Sequence, residues 1–171
     1  AIAVTTDDAD YKTRTGGLDL GKSGVTEALF SYTNSTLAAA SFTDRYLVCF
    51  VNMDALTGLR VTDNGAAVTI RYGSSSAAYY EKTWNLIDLI AGWNLFYLRI
   101  GDREVTTTGT PNASAMTYFN IRFDVTAAAT TVTAGRFTLD NIFLVHEDHF
   151  IDEYLDTKDQ WQWDYFVKKT P

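Results

Sequence analysis

Three stretches of this chain alternate with period two, and that pattern confines them to strands with one buried face. From Asn94, residues Phe96, Leu98 and Ile100 fall on one side and Leu95, Tyr97 and Arg99 on the other. Thr117, Phe119, Ile121, Phe123 and Val125 repeat the period against Tyr118, Asn120, Arg122 and Asp124, and Phe137, Leu139, Phe143 and Val145 extend it towards the C-terminus. Gly92, before Trp93-Asn94, permits the positive φ of a tight connection. One-sided strands joined by short polar links pack as two antiparallel sheets, so the expected fold is an all-β antiparallel sandwich.

Elsewhere the pattern is less regular. Residues 1–24 mix Thr and Asp with scattered glycines and read as an irregular N-terminal arm. A first strand is expected between Val25 and Tyr32. The apolar run from Arg45 to Val51 fits a central strand covered on both faces. Thr62-Asp63-Asn64-Gly65 carries the Asn-Gly signature of a type I′ turn, which would pair Leu59 and Val61 with Ala67 and Thr69. Gly73-Ser74-Ser75-Ser76 reads as a loop into a strand ending near Trp84, and residues 101–112 read as a polar loop. The expected division is arm 1–24, sandwich 25–146 and C-terminal arm 147–171. The last of these is acidic and aromatic, with Trp161, Trp163, Tyr165 and Val167 in one row.

With 171 residues, 46% of them hydrophobic, the chain suits one core better than two. A net charge of −7 without clustered Lys or Arg argues against a nucleic-acid surface, and no apolar run reaches membrane-spanning length. Nothing near Ala1 has the form of a signal peptide, which leads to the expectation of a chain kept in the cytosol until assembly. The single Cys49 lies within an apolar run and reads as a buried thiol.

Trp84, Ala91-Gly92-Trp93-Asn94-Leu95, Thr108-Gly109-Thr110-Pro111, the strand 118–125 and the closing Phe137-Thr138-Leu139-Asp140-Asn141-Ile142-Phe143-Leu144 resemble the second half of galactose-binding-like jelly rolls. That superfamily includes many carbohydrate-binding modules, and similar modules recur in bacteriophage capsid-decoration and fibre proteins. The resemblance spans residues 44–145 and is one of spacing. It implies a jelly roll, and it implies a structural calcium where Asp140 interrupts the closing strand. Calcium needs several more oxygens, for which Asp7, Asp8, Asp10 and Asp19 are candidates; the alternative is that Asp140 caps a bulge by hydrogen bonding.

No motif of a hydrolase, phosphate loop or dinucleotide site is present, and no enzyme is expected. His146-Glu147-Asp148-His149 lacks the spacing of a zinc-protease helix. Tyr97, Arg99, Tyr118, Asn120 and Arg122 are the glycan-binding candidates, because flat rings stack on sugar C–H faces and planar donors reach hydroxyls. Covering a solvated sheet face is also what such residues do in any sandwich. Trp84 and Trp93 read as packing residues. The expectation is a non-catalytic virion-surface module, a capsid decoration or fibre component. It needs no cofactor other than the candidate calcium, forms a homo-oligomer or attaches to a capsid or tail protein through Trp161, Trp163, Tyr165 and Val167, and has a cell-surface glycan as a candidate partner; the alternative for the aromatic row is packing on the chain's own sandwich. It involves neither nucleic acid nor membrane. The alternative is an extracellular glycan-binding module of a secreted carbohydrate-active enzyme or adhesin.

Overall fold

A computed structural model describes residues 2–4, 18–22, 29–57, 59, 66–124 and 132–150. Among these residues ten strands form two five-stranded antiparallel sheets. They are β1 (Ile2–Val4), β2 (Leu18–Lys22), β3 (Leu29–Asn34), β4 (Arg45–Met53), β5 (Ala66–Ser75), β6 (Ala78–Asn85), β7 (Gly92–Arg99), β8 (Thr106–Thr108), β9 (Tyr118–Asp124) and β10 (Val132–His146). The first sheet runs β1-β2-β10-β4-β7 and the second β3-β9-β5-β6-β8. A 3₁₀ turn, Leu86–Asp88, links β6 to β7, and a helical turn, Glu147–Phe150, follows β10. The chain is a β-sandwich.

Its core is the space between the sheets. Leu47, Cys49 and Val51 of β4 meet Val68, Ile70 and Tyr72 of β5 and Phe119, Ile121 and Phe123 of β9. Phe42, ahead of β4, packs edge-on against Tyr72, ring centroids 5.0 Å apart. The alternate residues of β4, Tyr46, Val48 and Phe50, form a second apolar cluster with Trp93 on the outward side of the first sheet. β4 is therefore covered on both faces, as its unbroken apolar run requires.

Cys49 is fully buried, and burial pushes its thiol well above the ordinary range. Charging it opposes folding, so its contribution to stability is complete below the usual thiol pKa and is lost as pH rises beyond about 8.5. A thiol reagent should leave the native protein unlabelled at neutral pH and label it fully in urea, as mass spectrometry would show.

The structure departs from the sequence reading in four places. The expected N-terminal arm contributes β1 and β2, with Leu20 opposite Phe137 and Asp19 opposite Thr138. The scattered glycines hide the short Leu18-Asp19-Leu20 alternation. Thr69 pairs with Thr83 on one side and Arg122 on the other, which excludes its expected hairpin partner Leu59. The Asn64-Gly65 turn itself lies outside the described residues. β5 instead turns into β6 through Ser76-Ala77, with Ser75 opposite Ala78. Gly73 is needed there, since a Cβ would stand 2.3 Å from the Ala78 carbonyl oxygen and 2.6 Å from Tyr79 Cα.

Fourth, β10 does not keep one alternation. Its register against β4 shifts between Asp140 and Ile142, where Asn141 is the extra residue of a bulge. Phe137 and Leu139 belong to the inner core, but Phe143 and Val145 pack with the outward cluster and Leu144 turns inward.

Candidate functional site

Among the described residues one side of the sandwich is open, for a reason that can be traced along β6. Tyr80, Lys82 and Trp84 form its inward row, opposite the core residues Tyr72, Ile70 and Val68 of β5. On its other edge β6 is paired by β8, a strand of only 3 residues whose last partner is Glu81, opposite Thr106. From Lys82 onward that edge has no neighbour among the described strands. In the facing sheet β7 is likewise the outermost strand. The two open edges leave a cleft of about 530 Å³ between them, within the range of roughly 300–1,000 Å³ usual for small-ligand sites.

The walls combine rings with a few polar groups. Trp84 meets Phe96 of β7 edge-on, centroids 4.8 Å apart, and so closes the inner end. Trp93 and Tyr97 come from the outward row of β7, and Tyr97 reaches round the strand edge, since its ring centroid lies 4.2 Å from Lys82 Nζ. Lys82 threads its stem between the sheets and holds its ammonium over Tyr97 and 5.4 Å from the Trp84 ring. Only 5% of this side chain is exposed, and Glu104 Oε2, at 3.2 Å, supplies a carboxylate from a side chain that is 73% exposed. Asp88, from the 3₁₀ turn, accepts a hydrogen bond from the Asn85 backbone N–H at 3.2 Å and also lines the cleft.

The wall between β6 and β7 is fastened by Asn94. Its side-chain oxygen accepts from the Ile90 backbone N–H at 3.0 Å, and its amide donates to the Ile90 and Gly92 carbonyls at 2.8 and 3.0 Å. Gly92 has φ +101°, which lets the chain turn into β7 at this point.

The five expected glycan-binding residues do not share a face. Tyr97 and Arg99 stand on β7 in the first sheet, whereas Tyr118, Asn120 and Arg122 stand on β9 in the second, on its outward side. Of the five, only Tyr97 lines the cleft. Arg99 forms an ion pair with Glu147 beside the Tyr46 ring. Tyr118 is buried beside Tyr79, centroids 6.1 Å apart, and Asn120 is buried with its amide donating to Thr33 Oγ1 at 2.8 Å. Arg122 lies 3.5 Å from Asp124. Nearby, Arg71 pairs with Glu81 and stacks on Tyr79 at 4.7 Å. These polar groups of the second sheet are engaged with one another.

Asp140 is buried on the outward side of β10, opposite Phe50 and beside the bulge. No three His, Cys, Asp or Glu side chains group as metal ligands among the described residues. Register places Asp19 opposite Thr138, two positions from Asp140, while Asp7, Asp8 and Asp10 lie outside the described residues. Trp161, Trp163, Tyr165 and Val167 also lie outside the described residues.

Sequence reasoning passed over Lys82, Asp88 and Glu104. The available signal was a lysine between two aromatics at i−2 and i+2 in a strand, but the cleft exists only because β8 is short and β7 is outermost. In comparison with known proteins, no family model and no curated protein sequence matches the chain.

Proposed function

We propose that this chain is a non-catalytic binding module of a virion surface, a capsid decoration or fibre component built on a carbohydrate-binding type of jelly roll. The observation that carries the binding role is the cleft, where three rings and a buried ammonium converge at an open side of a rigid two-sheet scaffold. Rings with a few convergent polar groups recognise hydroxyl-rich ligands without doing chemistry on them. The virion setting rests on the resemblance to phage surface modules and on the aromatic row of Trp161, Trp163, Tyr165 and Val167, whose exposure to water alone would be costly. In this reading the row docks on a second copy or on a capsid or tail protein.

Mass in solution tests the assembly. The full chain should form a trimer or larger species, and truncation after Asp159 should leave its melting temperature nearly unchanged while abolishing association. A full chain that stays monomeric overturns the virion assignment and favours the second reading, a glycan-binding module of a secreted enzyme or adhesin, which the cleft supports equally.

A further inference from the structure

We infer that the cleft between β6 and β7 selects an uncharged, hydroxyl-rich ring, a neutral saccharide unit, and that Glu104 and Asp88 at its walls turn acidic saccharides away. The inference deepens the binding role given above and rests on it.

The argument starts from the charges. Among the described residues the cleft has one ammonium, Lys82, which is nearly removed from water and already has a carboxylate 3.2 Å away in Glu104. Asp88 adds a second carboxylate to the same walls. A ligand carboxylate would enter a site whose positive charge is already matched, beside two like charges, in a protein of net charge −7. A hydroxyl meets no such opposition. It can accept from an N–H of Lys82 and donate to Glu104 or Asp88, and charged partners make these the stronger class of hydrogen bond. Trp84, Trp93 and Tyr97 supply flat apolar surfaces for the C–H faces of a sugar ring. Glu104 is thus the specificity determinant. It occupies the position on Lys82 that an acidic ligand would need.

The test uses the full chain, a panel of neutral hexose oligosaccharides and the same oligosaccharides oxidised at C6 to uronates, with calorimetry as readout. The native protein should bind members of the neutral panel and none of the oxidised one. Tyr97→Ala should weaken neutral binding at least tenfold. Glu104→Gln should weaken neutral binding severalfold, since its amide oxygen still accepts from a hydroxyl but carries no charge, and should acquire binding of the oxidised counterpart, because Lys82 then lacks its carboxylate. Binding of the uronates by the native protein as tight as that of the neutral sugars overturns the charge selection and leaves the binding role standing. Failure of Glu104→Gln to acquire uronate binding, with neutral binding still measurable, overturns it in the same way. Binding of neither panel overturns the saccharide reading of the cleft itself.

Discussion

Phe137→Ala is expected to destabilise the sandwich by about 3–5 kcal/mol, the range for removing a large aromatic from a close-packed interior. Phe137 is fully buried and stacks on Phe123 with ring centroids 4.0 Å apart and planes 4° from parallel. The two rings belong to different sheets, Phe137 to β10 opposite Met53 and Phe123 to β9 opposite Val68. Truncation therefore opens a void where the layers are joined, and neither sheet can shift to fill it without breaking its own ladder. Urea denaturation should show a lower midpoint with an unchanged slope. Phe137→Leu, which keeps most of the volume, should cost clearly less. A loss below about 1 kcal/mol for the alanine variant would mean that this stack does not hold the layers together.

Asn94→Ala is expected to cost about 2–3 kcal/mol and to loosen the cleft. The side chain is buried and satisfies the Ile90 N–H, the Ile90 carbonyl and the Gly92 carbonyl at once. Leaving one buried polar group without a partner costs roughly 1–3 kcal/mol, and water entering from the open side should relieve part of the sum. Exchange of the Ile90 amide should quicken more than that of core amides in β4. Asn94→Asp is the informative control: it keeps the acceptor for the Ile90 N–H but sets a carboxylate oxygen against two carbonyl oxygens, so at neutral pH it should cost at least as much as the alanine variant. Equal exchange at Ile90 in parent and alanine variant would show that the wall is held by something else.

The strands covered on both faces, or strictly on one, were the legible ones. The apolar run of β4 and the alternation of β7 and β9 located three strands to within a residue or two. Which strands lie side by side was not legible. Asn64-Gly65 is a strong local signal, yet both edges of β5 are taken by β6 and β9, and a dipeptide carries no information about that competition. Tyr97 and Tyr118 look alike in sequence, each on the polar side of an alternating strand. One lines an open cleft and the other is buried, because β7 is an outermost strand and β9 an inner one. The cleft depends on the end point of β8, three threonines that carry no apolar pattern of their own.

The bulge at Asn141 also fixes how this chain can change length. Because facing inverts with every residue of a strand, the odd residue is what sends Phe137 and Leu139 to one apolar cluster and Phe143 and Val145 to the other. Deleting Asn141 itself would make the ladder continuous, with Asp140 and Ile142 still opposite Phe50 and Cys49, and every flanking side chain would keep its side. Deleting Thr138 instead would carry Leu139 outward and Asp140 into the core, because the residues between the deletion and the bulge would change places. β10 can therefore lose one residue, and the bulge is the position at which it can do so.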